Sequence, residues 1–442
     1  MADDNTKIGR RPPMFLLYSL MVVLWYVPRQ TAPGGLLESC LFLRWLSVMI
    51  LPPLFFLQFM RATVTGRAFR VTGISVPLAL FAAWSVFSAA ANRSGFLDFF
   101  GNLAVYINYP IFFITLVNMD LPEDTAKKMI RLFMALVIIQ IPECLYRYYA
   151  MGVKGDMISW TLGPWGSFDL GVYMCYAVSI IVAVSVVKKF NWIYLLIIFS
   201  FFLVALFGEI KAFIFAAPIT ATAAAYFAAG SGGRLRKTLL TVLLPVILFL
   251  LVYLSFIYWG RVYGEGENFL AAYYNKVMGL LGLQHGYADG YAANYESRIS
   301  GLGYAWRSMS GDIYRMMTGF GPGSSFMGNI LSRGAIHSVV KIPAVNQLAA
   351  VLVDSGLVGL CLYVSMMVYM FSVILKANSK AESGDSRVIT ASLAGMWVFY
   401  AVMGPFYDLV WRYDAPSFMF YFLMSLAYLK AAGPGRRFAG AA

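Results

Sequence analysis

Charge and histidine are the scarce components of this sequence. Only 12% of its 442 residues are charged and two are histidine, where soluble domains run at about 25% charged. That shortage, set beside an apolar content of 60%, excludes a soluble enzyme. Cysteine is almost as rare: Cys40, Cys144, Cys175 and Cys361 each fall in or at the edge of an apolar run, without metal-ligand spacing, and read as small packing residues. The carboxylates form no cluster with metal-ligand spacing either, so neither a metal nor a cofactor is expected. Alternating ten-residue apolar stretches are missing, which excludes an outer-membrane barrel.

What is present is long continuous apolar sequence, enough at about 20 residues per span for about a dozen membrane helices. The expected architecture is an all-α polytopic membrane protein with spans near 14–28, 39–58, 74–91, 99–118, 129–150, 168–187, 190–208, 210–229, 238–259, 346–375, 388–406 and 415–430. The competing reading of the first run as a signal peptide is disfavoured by Pro33 at the would-be cleavage site and by the span that follows at once. The chain has 34 Lys and Arg against 21 Asp and Glu, a net charge of +13. Twelve spans with both termini inside place bases in every inner segment: Lys7, Arg10 and Arg11 first, then the groups around Arg67, Lys128, Lys188, Arg236, Lys380 and Arg436. Short outer loops have few, as the positive-inside rule requires.

Three regions follow from this count: residues 1–259 with nine spans, an outer loop at 260–345, and residues 346–442 with three spans and an inner C-terminus. The loop is far longer than an ordinary connection, and such loops are usually functional. Within it Ile299, Leu302, Trp306, Met309, Ile313 and Met316 recur at spacings of three and four, predicting an amphipathic helix over about 298–318 that lies on the outer membrane surface or caps the bundle. The Gly-rich segment Gly319-Phe-Gly-Pro-Gly-Ser-Ser325 lacks the Lys of a P-loop and reads as a bend with close backbone approach.

Most charged residues outside the inner segments cluster toward the outer face. Glu143 and Arg147 stand four apart at the end of the fifth span, Glu209 and Lys211 sit at the turn between the seventh and eighth, and Asp408, Arg412 and Asp414 fill the last outer turn. Lys211 is costly at the end of an apolar span unless paired or functional. The loop bases, among them Arg298, Arg307, Arg315 and Arg333, come singly, which gives nucleic-acid binding no basis. Single guanidiniums at a membrane surface suit lipid phosphates or pyrophosphates, which they can grip through two oxygens. His337, in Arg333-Gly-Ala-Ile-His337-Ser338, could take a proton from a sugar hydroxyl or act as a structural hydrogen-bonder.

Over residues 160–365 the arrangement resembles the O-antigen polymerase and O-antigen ligase superfamily. Leu206-Phe-Gly-Glu-Ile-Lys211-Ala-Phe is similar to the family's intramembrane basic motif, which usually carries Arg where this chain has Lys211. Glu296-Ser-Arg298 and Gly319-Phe-Gly321 resemble its loop arginine and Gly-x-Gly element, and Asn346-Gln347 with Asp354-Ser-Gly356-Leu-Val-Gly359 resembles the end of its pattern. The family's histidine would fall on Val345, eight residues after His337; either the loop carries an insertion and His337 fills the role, or the role is vacant, which tilts the resemblance toward a polymerase.

The resemblance implies a GT-C-like fold and a metal-independent glycosyltransferase of the bacterial inner membrane, working on the periplasmic face. The donor would be an undecaprenyl-pyrophosphate-linked glycan, and the acceptor a glycan or, for a ligase, the lipid A core. Membrane lipids and a chain-length regulator are the further partners. His337, Arg298 and Lys211 would be catalytic, and Arg147, Glu143, Glu209, Arg307, Arg315, Arg333 and Asn346 would bind substrate. A transporter or flippase for lipid-linked sugars is the alternative from another class; it would need charged or helix-breaking sites near the bilayer midplane.

Overall fold

The computed structural model describes residues 14–30, 51–64, 69–119, 124–159, 166–188, 190–230, 300–325, 346–382, 384–405 and 415–432, with a few isolated positions besides. The described residues are helical and membrane-embedded in architecture. In chain order the α-helices are α1 Met14–Gln30, α2 Leu51–Val64, α3 Ser75–Ala91, α4 Phe96–Val117, α5 Thr125–Met151, α6 Ser167–Val187, α7 Trp192–Phe207, α8 Lys211–Ala229, α9 Ser300–Met309, α10 Ile313–Thr318, α11 Gln347–Ser379, α12 Gly384–Met403 and α13 Ala415–Ala432, with a 3-10 turn at Gly155–Ile158.

Five of these are long and apolar enough to cross a bilayer: α5, α6, α8, α11 and α12. Four apolar helices are shorter, among them Ser75–Ala91 and Trp192–Phe207. At about 1.5 Å per residue a 17-residue helix reaches roughly 25 Å, short of a hydrocarbon core of about 30 Å. The expectation of many apolar helices is therefore met and that of twelve spans only in part. The expected span at 238–259 lies almost wholly outside the described residues, as does most of that at 39–58.

The centre of the bundle is the trio α6, α8 and α12. Helix α6 is buried on every side, from Leu170 through Ala183. Lipid offers no hydrophobic drive between helices, so they associate by close approach over small side chains. Here Ala212, Ala216, Ala217, Ala221, Ala224 and Ala225 of α8 are all buried. A Cβ on Gly395 would lie 2.7 Å from Ser179 Oγ and 2.8 Å from the Thr220 carbonyl oxygen, so α12 meets both partners at this glycine. Aromatic contacts attach the outer layer: Trp25 of α1 stacks on Tyr173 of α6 at 4.2 Å, and Phe112 of α4 on Phe418 of α13 at 4.6 Å.

The two ends of the bundle differ in chemistry. At one end Asp385 of α12 bridges Lys127 of α5 and Lys188 of α6, at 2.7 Å each. The Lys380 ammonium donates to the Ala431 carbonyl at 2.6 Å, and Asn118 pairs with the backbone of Arg70. Every one of these positions lies in or beside a segment read from the sequence as inner, and we call this the basic end. The opposite end, here the loop end, gathers Ser94 with Gly321, Glu209 with Gly155, and Gln347 with Gly404.

Two sequence expectations are corrected here. The amphipathic segment is not one helix over 298–318 but an elbow, α9 and α10, because the Asp312 carboxylate accepts from the backbone N–H groups of Tyr314 and Arg315 and starts a new helix. Leu302, Ala305 and Met309 turn inward against Ala349, Leu352 and Val353, whereas Trp306 and Ile313, expected on the same stripe, are exposed. Cys144 and Cys175 pack in the interior as expected, but Cys361 is exposed on the surface of α11. Cys40 lies outside the described residues.

Replacing Gly395 by Val should overfill the α6–α8–α12 contact and cost about 1–3 kcal/mol. Gly303→Ala, whose Cβ meets nothing within 4 Å, should leave stability unchanged or slightly raised. Thermal loss of the monodisperse peak in detergent reads both; equal midpoints for the two variants would count against the packing account.

Candidate functional site

Helix α11 is broken near its start. Gly356 has φ +66° and ψ −168°, so residues 347–355 and 357–379 are separate helices set end to end across a kink. The second piece, at about 1.5 Å per residue, spans about 34 Å and can cross a bilayer alone. The first piece does not cross: its Gln347 N–H donates to the Gly404 carbonyl at the end of α12, and its other end lies beside Ser88, one turn from the end of α3. Both of its ends abut the loop end.

A helix break strands backbone carbonyls that must find other donors. The Val353 carbonyl accepts from Phe320 N at 2.7 Å, the Asp354 carbonyl from Ser88 Oγ at 3.3 Å, and the Ser355 carbonyl from Trp84 Nε1 at 2.8 Å. The Gly-rich segment reaches the break because glycine permits the approach: a Cβ on Gly319 (φ +72°) would sit 2.5 Å from the Val353 oxygen, and one on Gly356 2.3 Å from the Met317 oxygen. The bend read from the sequence is thus a plug for a broken helix. The buried Asp354 carboxylate locks it, accepting from Ser325 N and Ser325 Oγ at 2.8 Å each and from Tyr106 Oη at 3.1 Å.

A charged turn lies at the same end of the bundle. Glu143 and Arg147, four apart on α5, form an ion pair at 4.0 Å, both partly buried. Tyr148 stacks on Phe207 at 4.2 Å, which brings the last turns of α5 against the end of α7. The chain then turns at Gly152 and the 3-10 turn, where a Cβ on Gly155 would be 3.5 Å from Glu209 Oε1. Glu209 itself has φ +52°, a left-handed conformation costly for a side-chain-bearing residue, and strain of this kind gathers at functional sites. It lets α8 begin two residues later at Lys211, with Ile210 giving no side-chain cap and no acid in the first turn. A base at a helix N-terminus opposes the helix dipole. Buried Asp169, in the first turn of α6, stands close to this start, since Gly171 packs on Ile210 and Phe213.

The sequence-expected residues divide as follows. Glu143 and Arg147 pair on the last turns of α5, and Glu209 and the backbone of Lys211 lie at the same end of the bundle, where Tyr148 stacks on Phe207. Asn346 stands at the start of α11, where its side chain caps Ala349 N at 2.7 Å. Arg307 and Arg315 lie on the exposed elbow; Arg315 sits 3.4 Å from Asp312 and lies over the Phe320 ring at 5.1 Å. Arg298, Arg333 and His337 lie outside the described residues, as do Arg412 and its flanking acids. Sequence reasoning did not single out Tyr106 or Asp169, and named Asp354 and Gln347 only within the family's pattern, without a role. The cost of an acid within an apolar run, the rule applied to Lys211, would have flagged Asp354. Gln347 Oε1 is buried without a hydrogen-bond partner among the described residues. A groove of about 490 Å³ between α1 and α5, lined by Tyr18, Val22, Val23, Leu132 and Lys128, belongs to the basic end and not to this site.

Compared with family models and with curated proteins, the sequence matches none.

Exchange of Asp354 for Asn should put an amide donor among groups that all donate, and Tyr106→Phe should remove one donor. Charge-assisted hydrogen bonds contribute about 1.5–3 kcal/mol each, so Tyr106→Phe should lose about that much and Asp354→Asn more. Unfolding of the purified protein in mixed detergent measures it, and a wild-type midpoint for Asp354→Asn would contradict the lock.

Proposed function

We propose that the protein is a glycosyltransferase of the bacterial inner membrane, with about twelve spans and the loop end facing the periplasm. Its reaction moves a glycan from an undecaprenyl-pyrophosphate-linked donor to a sugar hydroxyl, polymerising O-antigen or exopolysaccharide repeat units, with a chain-length regulator as partner. The observation that carries this reading is that the Glu143–Arg147 pair, strained Glu209 and the helix start at Lys211 lie at the same end of the bundle. A cation and backbone N–H groups at a helix start suit a phosphate, and Glu209 and Lys211 lie within one of the segments that carry the resemblance in sequence.

In this reading the acceptor hydroxyl attacks the anomeric carbon while the bond from that carbon to the pyrophosphate oxygen breaks. The hydroxyl proton passes to a base, His337 first and Glu143 or Glu209 as substitutes. The lipid pyrophosphate leaves as an anion, and Lys211 and Arg298 neutralise its growing charge; fixed cations in a low-dielectric site do this without solvent reorganisation. Arg147, Arg333 and Asn346 hold donor and acceptor; Arg307 and Arg315, expected from the sequence to join them, stand on the exposed elbow. Ligation to the lipid A core is the same chemistry with another acceptor.

One observation favours a transporter instead, the broken helix with an acid at its break. Transport sites bind and release, whereas the Asp354 carboxylate is engaged by three donors from the protein itself. That weighs for the enzyme.

Arg298→Ala, Lys211→Met and His337→Ala should each lower transfer from a lipid-linked glycan in proteoliposomes, the last by about 10²–10⁴-fold, with membrane insertion intact. Lys211→Arg should keep activity. Wild-type rates in Lys211→Met would remove that residue from the site.

For orientation, cysteines placed at Gly286 and Ala442 should differ in labelling by an impermeant reagent applied to intact spheroplasts, Gly286 reacting and Ala442 not. Equal labelling would overturn the sidedness.

A further inference from the structure

The elbow α9–α10 has two unlike flanks. Leu302, Ala305, Met309 and Met316 face inward on the first piece of α11. On the other flank Trp306, Ile313, Tyr314 and Met317 are exposed, Ile313 at 73% and Trp306 at 42%. Arg307 and Arg315 lie among them, Arg315 held by Asp312 and spread over Phe320, each with its guanidinium still open to the surroundings.

The position of this flank says what covers it. Ser88 Oγ donates to the Thr318 carbonyl at 2.6 Å, so the last turn of α3 touches the end of α10. The exposed flank of α3, from Val76 and Leu80 to Val86 and Phe87, is apolar along its length. Phe87 and Met317 are each one residue from that hydrogen bond, so exposed apolar side chains of α3 and of the elbow flank the same contact. Apolar surface running along a membrane helix is lipid surface, and where it ends the side chains change character: Trp and Tyr, which favour the bilayer interface, and two arginines.

We propose that the outward flank of the α9–α10 elbow is a lipid-docking surface, seated in the headgroup layer at the loop end with Trp306, Ile313, Tyr314 and Met317 in the acyl boundary and Arg307 and Arg315 on lipid phosphates. Its occupant is the bilayer itself, and the inference does not depend on the glycosyl-transfer reading. It roots the start of the plug, Gly319 to Ser325, in the membrane plane, because α10 leads directly into that segment.

The test uses full-length protein in phosphatidylglycerol bilayers with Cys40 and Cys361 changed to Ser. A spin label on Ile313→Cys is compared with one on Val86→Cys, the lipid reference, and one on Lys154→Cys, an exposed loop position. Collision with oxygen should exceed collision with a water-soluble nickel complex several-fold at Ile313, as at Val86, and the reverse should hold at Lys154. Since Ile313 is already exposed, the label does not threaten folding. An Ile313 label that behaves like Lys154 would overturn the proposal, and so would one shielded from both reagents, which would mean a protein segment or second copy covers the flank. Arg307→Glu combined with Arg315→Glu should shift the Ile313 ratio several-fold toward water and leave Val86 unchanged; an unshifted ratio would remove the phosphates from the proposal.

Discussion

The arrangement at the loop end depends on how a broken helix satisfies its own backbone. Ending a helix at Ser355 within a membrane protein leaves carbonyls facing inward, and each unsatisfied one is expensive where water is scarce. The chain meets that demand with three donors from two sides: Phe320 from the Gly-rich plug, Ser88 and Trp84 from α3. Ser325 and Tyr106 close the arrangement on the Asp354 carboxylate. Helices α3, α4, α10 and α11 therefore take their mutual positions from polar contacts, not from apolar packing alone.

That contrasts with the centre, where α6, α8 and α12 approach through alanine and glycine, and hydroxyls such as that of Ser179 bond within their own helix, to the Cys175 carbonyl. Small-residue packing gives a close and shape-defined contact. Polar capping gives a geometry that tolerates only particular residues. The charged turn at Glu143, Arg147 and Glu209 belongs to neither regime alone: an ion pair on α5 and a strained residue before α8 are held there by the stacking of Tyr148 on Phe207.

Much of this was legible in the sequence, for identifiable reasons. Helix limits follow apolar runs closely when the solvent is lipid: the run read as 168–187 is helix Ser167–Val187, and that read as 74–91 is Ser75–Ala91. The Glu143–Arg147 pair was legible because four residues make one helical turn. The break at Gly356 was not, since a glycine in an apolar run looks the same whether or not the helix continues, and what decides it is a plug about thirty residues away in the chain. The stripe from 298 to 318 misled because spacings of three and four survive a short elbow; Gly311-Asp312, a breaker followed by a capping residue, was the local sign. Nothing in the sequence marks the left-handed backbone of Glu209.

At the basic end a single carboxylate, Asp385, holds two ammoniums on helices it does not belong to. A chain emerges from the ribosome N-terminus first, so Lys127 and Lys188 are already placed when Asp385 is made, some two hundred residues after the second of them. The last partner completes the cluster only if the two earlier helices arrived with the correct ends on the same side. The ion bridge thus ties together three chain segments made far apart in time: a helix inverted early in synthesis would leave Asp385 with one ammonium of its two missing, though α12 would still meet its remaining neighbours through small residues.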